Sequence, residues 1–253
     1  MSDIRKIYTD DEMACRVWET QRVKDLMSLR SFYVCNEWRR RELNELWVRD
    51  EKLRKTASFG TNHGYYTGMD SISNYYVVRH NDRRYKELRE ISAAAGLEVT
   101  EKNLGFGALY RQPVATPLVQ LAGDGMTARG LWYSIGCDSI AEPDGDLKAY
   151  WVNCKIAADF VLENGQWRIW HLVESVDMFC EAGKAYADQP VEPEGEEDLD
   201  KMRAGQPDIP MLTHNVRYNW LDDYPGFPRP YQTYSDENSY GPKGHPLYKE
   251  AVK

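Results

Sequence analysis

Gly123-Asp124-Gly125 and Asn164-Gly165-Gln166-Trp167-Arg168-Ile169 decide how the second half of this sequence folds. Each places residues that tolerate positive φ between runs that favour extended backbone, the strongest short-range hairpin signal. Thr116-Pro-Leu-Val-Gln-Leu121 leads into the first turn, and Thr127-Ala-Arg-Gly-Leu-Trp-Tyr-Ser134 leaves it. The second turn joins Ile156-Ala-Ala-Asp-Phe-Val-Leu162 to Trp167-Arg-Ile-Trp-His-Leu-Val173. Two successive hairpins predict four antiparallel strands in a meander.

The first half is helical. From Trp18 to about Arg54 the chain is dense in Arg, Lys, Glu and Leu, with Val23, Leu26, Met27, Leu29, Tyr33 and Val34 at helical spacing. A second stripe, Leu43, Leu46, Trp47 and Leu53, follows the Arg39-Arg-Arg41 run. That run is offset by Glu37, Glu42 and Glu45, which reads as a solvated helix face. A short extended segment, Ser58 to Gly68, separates these helices from a third, predicted from about Ser71 to Ala95 with Asp70 as N-cap and Gly96 as terminator. Helices followed by antiparallel strands make the chain α+β.

Composition bounds the function. The 253 residues carry a net charge of −8 and 42% hydrophobic residues, a globular balance whose sign disfavours nucleic acid, since phosphate binding needs a cationic surface. No apolar run approaches the roughly 20 residues of a membrane span, and Met-Ser-Asp-Ile-Arg-Lys has no apolar signal core. The five cysteines are odd in number and form no CxxC pair, which points to reduced thiols and a cytoplasmic setting. Beyond Ala182 the composition changes. Pro190 to Asp198 is acidic, and the segment after it is crowded with Tyr, Trp and Pro. The expected organisation is an N-terminal segment over 1–15, one domain over 16–180, and an acidic linker with an aromatic, Pro-rich arm over 181–253. Such an arm orders only against another surface: its own domain, the mouth of a pocket, or a second subunit.

With Gly68-Met-Asp-Ser-Ile72 opening the third helix, Thr116-Pro117 and Gly123-Asp-Gly-Met-Thr-Ala128, and Asp159-Phe160 before Asn164-Gly-Gln-Trp-Arg-Ile169, the chain resembles the nuclear transport factor 2-like superfamily, and within it the SnoaL-like polyketide cyclases and dehydratases. The resemblance implies a cone-shaped α+β fold, a curved sheet wrapped on helices with a small molecule held in its mouth. It implies a cofactor-independent lyase that removes water or a small carbonyl fragment such as formaldehyde from a hydroxylated aromatic or polycyclic molecule by general acid–base catalysis. A narrower similarity is to bacterial diarylpropane lyases. The alternative is a non-catalytic binding or assembly module of the same fold. The superfamily also implies a homo-oligomer, dimer or trimer.

No cofactor motif is present, and the five histidines are too scattered to suggest a metal. Acid–base side chains remain. His171 shares strand phase with Trp167, Ile169 and Val173, which predicts an imidazole pointing into the cone. His63, with Tyr65 and Tyr66, lies on a segment that borders the pocket in this fold, and alternation lets only one of the two tyrosines face inward. Tyr33 and Asn36, with Glu37 beside them, stand where relatives carry a tyrosine and an acid. Gln112 occupies a position where many relatives have histidine, next to Tyr110 and Arg111, either of which could bind an oxyanion. Trp132, in phase with Ala128 and Gly130, suits a pocket wall. His171, His63 and Tyr33 are the catalytic candidates; Tyr65, Tyr66, Asn36, Tyr110, Arg111 and Trp132 are the substrate-binding ones.

Overall fold

A computed structural model of the chain describes residues 8–141, 147–185, 206–211 and 224–253. The acidic run 190–198, and Tyr218 and Trp220 of the arm, lie outside the described residues. Helix α1 spans Asp10–Cys35, starting well before Trp18 because Thr9 and Glu12 close a capping box. The Thr9 hydroxyl accepts the Glu12 amide at 3.2 Å, and Glu12 Oε2 accepts the Thr9 amide at 2.8 Å. Two short helices follow, α2 over Arg39–Leu46 and α3 over Glu51–Thr56, the latter capped by Asp50. Strands β1 (Ser58–Thr61) and β2 (Gly64–Thr67) form a hairpin. The third long helix is built from α4 (Met69–Ser73), a π-helical segment Asn74–Arg79, and α5 (His80–Ala95). It ends at Gly96, whose φ of 63° is the left-handed cap its sequence predicts. Its N-cap is Gly68, not Asp70.

Strands β3 (Ala108–Arg111), β4 (Val114–Leu121), β5 (Thr127–Ala141), β6 (Leu147–Glu163) and β7 (Gln166–Glu181) continue the chain, and β8 is Ile209–Pro210. They form one curved, unclosed sheet in the order β3-β5-β6-β7-β1-β2-β8, with β4 also on the free side of β5. All pairs are antiparallel except β1 with β7. Both predicted turns are present: Gly125 has φ 73°, and Asn164 and Gly165 have φ 49° and 75°. The fold is α+β. Its concave face packs Trp132, Phe160, Ile169 and Leu172 against Val23 and Met27 of α1 and against Trp47.

The convex face carries the arm. Tyr240 N donates to Asp159 Oδ2 at 2.7 Å, and Lys155 Nζ donates to the Tyr224 carbonyl at 3.0 Å. The Gly123-Asp124 turn is itself a dock, its two amides donating to Tyr231 O and Gln232 O at 2.9 and 3.0 Å. Tyr224 and Tyr240 pack with Tyr65, Leu131, Ala157 and Val173 in a second apolar cluster. The described part of the arm therefore wraps its own domain, on the side away from the cone interior.

His171 belongs to this side. Asp159 pairs with His171 but Phe160 pairs with Ile169, so Trp170 is an extra residue in β7. Such a bulge reverses strand phase. Trp167 and Ile169 face the core as predicted, whereas His171 joins Asp159 under the arm, next to Trp170, Tyr234 and Gly241. The expectation that it points into the cone is overturned by one inserted residue.

Burial pushes His171 down to about 3 and His245 down to about 4, and pushes Asp159 up to about 7. Between pH 4 and about 6.5 the unfolded chain protonates both histidines, which the folded chain leaves neutral. In the same window folded Asp159 keeps a proton that the unfolded chain releases, offsetting one histidine. The unfolded state thus binds more protons, and stability falls as pH drops through this window. Neither His171 nitrogen has a hydrogen bond among the described residues. His171→Leu is expected to stabilise by about 1–3 kcal/mol, the usual cost of an unsatisfied buried polar group, and to flatten the acid dependence. Thermal unfolding of both proteins at pH 5 and 7 measures this; an unchanged or lower Tm would contradict it.

Candidate active site

Along the concave face of β5 the side chains change character. Ala128 and Trp132 are core, but Ser134 and Asp138, on the same face by their pairing with Cys154 and Tyr150, lead into a polar cluster. Tyr110 of β3 stands opposite Asp138. Helices supply the rest: Arg30 from α1, Glu37 from the α1–α2 corner, Arg39 and Glu42 from α2, Tyr76 and His80 one turn apart on the third helix.

At the base of this cluster a carboxylate is completely buried. Glu42 Oε1 accepts from Arg30 Nε at 3.0 Å and from Trp47 Nε1 at 3.2 Å, and Oε2 accepts from the Tyr76 hydroxyl at 2.6 Å. Arg30 also reaches Glu174 of β7 at 2.5 Å. Burial disfavours the Arg30 charge, but Glu42 and Glu174 outweigh it and hold the guanidinium protonated. This satisfied network is structural.

Above it the arrangement is less complete. Glu37 adopts φ 60°, a left-handed backbone that a residue with a side chain adopts at a cost. That turn sends its carboxylate inward, where Oε2 accepts from Arg39 Nε at 3.2 Å and is in short hydrogen-bond contact with His80 Nε2. Glu37 Oε1 is buried with no hydrogen-bond partner among the described residues, and so are the Tyr110 hydroxyl and Asp138 Oδ1. Burial would raise the Glu37 pKa, but the Arg39 charge and the His80 hydrogen bond bring it down to about 2. Burial and then Arg39 push His80 down to about 4. The pair is a carboxylate bonded to a neutral imidazole. Burial raises Asp138 to about 6, against the pull of Arg39 and of a hydrogen bond from Gln112. Burial and the Glu37 charge raise Tyr110 to about 12, so its phenol stays a donor.

Of the nine residues named from sequence as catalytic or substrate-binding, Tyr110 alone joins this cluster, together with Glu37, which was weighed beside Asn36 as the acid. Tyr66 is the inward member of its pair, stacked on Tyr75 at 3.8 Å within the core, whereas Tyr65 faces the arm, its hydroxyl donating to Tyr240 O at 3.0 Å. Tyr33 is buried, but its hydroxyl leaves the cone to bond Glu45 at 2.5 Å. Asn36 caps α1 by donating to Phe32 O, and Arg111 points outward, bonding the Tyr110 carbonyl. Trp132 is core, its ring filling the space that Gly130 leaves empty. His63 lies in the β1–β2 turn, which Asn62 pins to Val176 through two hydrogen bonds. His80, Arg39 and Asp138 were missed. The Arg39-Arg-Arg41 run is a solvated face only at Arg40 and Arg41; Arg39 turns in, its guanidinium 4.6 Å from the Tyr76 ring centroid. A signal existed for His80: it follows Tyr76 by four residues, on the same helical face.

A SnoaL-like domain model matches residues 16–173, and the chain belongs to that family. No curated protein matches the sequence. Among solved structures it is similar to an NTF2-like protein with a cystatin-like fold from Novosphingobium aromaticivorans (13% identity, 72% of this chain and 96% of that one, TM-score 0.43). It is similar also to the hexachlorocyclohexane dehydrochlorinase LinA-type3 from Novosphingobium barchaimii (12%, 70% and 97%, 0.44) and to Aln2 from a Streptomyces species (18%, 68% and 95%, 0.41).

Glu42 gives the cluster a stability test. Glu42→Ala leaves Arg30, Trp47 and Tyr76 without their acceptor in a dry site. Breaking a buried ion pair from one side costs about 3–5 kcal/mol, so the urea midpoint is expected to fall by that equivalent. A loss under about 1 kcal/mol would mean the network is dispensable.

Proposed function

We propose that the chain is a lyase working without cofactor, and that it eliminates water from a hydroxylated aromatic or polycyclic small molecule in the concave site. The observation that supports this most is the neutral His80 imidazole bonded to ionised Glu37, beside a buried phenol with no acceptor among the described residues. Glu37 holds Nε2, so His80 would take a proton from a carbon next to a carbonyl through Nδ1, displacing Arg83 Nη2, which stands 3.3 Å from it. Glu37 would steady the imidazolium so formed, as a carboxylate does for a general-base histidine. Tyr110 would donate to the oxygen that gains negative charge, with Arg39 close enough to balance it. The electron pair of the broken C–H bond becomes the new double bond as the C–O bond breaks. Asp138, in its protonated form, would deliver a proton to the departing hydroxyl, which leaves as water.

The assignment has a pH signature. His80 must be neutral and Asp138 protonated, so turnover of a β-hydroxy ketone such as a hydroxylated tetralone is expected to rise through about pH 4 and fall through about pH 6. Asp138→Asn and His80→Asn are each expected to lower turnover by roughly 10²-fold or more, the scale of a lost general acid or base, and Asp138→Asn should also abolish the fall near pH 6. Turnover that rises through pH 6 would reverse the role of Asp138. Folded variants with full activity would remove the residues from the mechanism.

A further inference from the structure

On the opposite face of the sheet the arm does more than cover. Together with β5 it forms a half-open cleft of about 490 Å³, walled by Tyr224, Tyr231 and Tyr240, by Phe227, and by Pro228 and Pro230. Its floor is Arg129 of β5, a side chain only 5% exposed. One guanidinium nitrogen donates to Ser235 O at 3.3 Å, and Nε stands 3.4 Å from Asp159 Oδ1 without forming a hydrogen bond. The guanidinium lies 4.2 Å from the Tyr231 ring centroid, a cation–π contact. Asp159 spends its other oxygen on the Tyr240 amide. Arg129 therefore keeps donor capacity at the base of an aromatic and proline-lined space. Arg229 adds a second cation to the lining, where the acids are Glu237 at the wall and Asp159 paired with Arg129 behind the floor.

We propose that this cleft is a second binding site, separate from the concave one, for a small aromatic carboxylate whose anion meets Arg129 and Arg229 and whose ring lies among the tyrosines and Phe227. A flat apolar body with one polar anchor is what such a lining recognises, and guanidinium forks suit a carboxylate better than any neutral group. The volume admits a two-ring acid. None of this depends on the chemistry assigned to His80 and Asp138.

The test uses the full chain and biphenyl-4-carboxylate, with biphenyl-4-methanol as the uncharged control, by isothermal titration calorimetry. Saturable one-to-one binding of the acid is expected, at least tenfold tighter than the alcohol. Asn238, an exposed residue of the lining, offers a blocking variant: Asn238→Trp fills the cleft and is expected to abolish binding. Arg229→Gln, at another exposed position, is expected to weaken it several-fold without disturbing the fold. Arg129→Gln should weaken it by tenfold or more, and circular dichroism identifies whether that variant stays folded. Glu37→Gln, in the concave site, should leave binding unchanged. Absence of binding, equal affinity for acid and alcohol, or binding that survives Asn238→Trp but is lost in Glu37→Gln would overturn the proposal.

Discussion

The Arg30–Glu42 ion pair is the constraint around which the helical half is arranged. An ionised carboxylate with no solvent exposure persists only if every lone pair in reach finds a donor. Glu42 finds three, from α1, from Trp47 and from the third helix. Each donor arrives from a different element, so the carboxylate fixes the mutual positions of α1, α2 and the third helix, and Arg30 extends the tie to β7 through Glu174. Apolar packing supplies the bulk of the stability, but apolar contacts slide; this network has one geometry. Because Tyr76 is held by Glu42, His80 one turn further on is delivered to Glu37.

The cost of the site is visible beside this network. Glu37 adopts a backbone conformation in which glycine or asparagine would be less strained, and the gain is an inward carboxylate. The π-helical segment Asn74–Arg79 ends where His80 begins; such segments widen a helix locally and recur where a helix presents side chains to a site. Rule-breaking in two elements at one place, next to a network that obeys every rule, is the pattern expected where a scaffold supports chemistry.

How far this could be read from the chain depends on whether the cause is local. Asn164-Gly165 and Gly96 need positive φ, a property of the residues themselves, and the structure has turns and a helix end there. The face of His171 is not local. The bulge at Trp170 is set by how β7 registers on β6, and no residue near Trp170 marks it, so period-two counting from Trp167 fails beyond Ile169. The Glu37–His80 pair is less legible still. Glu37 and His80 are 43 positions apart, and Arg39 looks identical in sequence to the solvated Arg40 and Arg41. Tyr110 could be picked out only through the family resemblance, because it stands beside Gln112, where many relatives carry a histidine.

The two residues of β8 have a consequence for the sheet as an object that could grow. In the pairing of β8 with β2, the Met211 amide donates to His63 O and Gly64 lies opposite Pro210, so the groups at 209 and 211 turn toward β2 and those at 210 turn away. The outward nitrogen is therefore a proline nitrogen, with no hydrogen to offer. An incoming strand at this edge would meet a missing donor at the position where a ladder has to start. A flat, unprotected edge invites a second chain to add on and so begins aggregation. Among the described residues β8 is the last strand on this side; it is short, and its one outward-facing position is a proline.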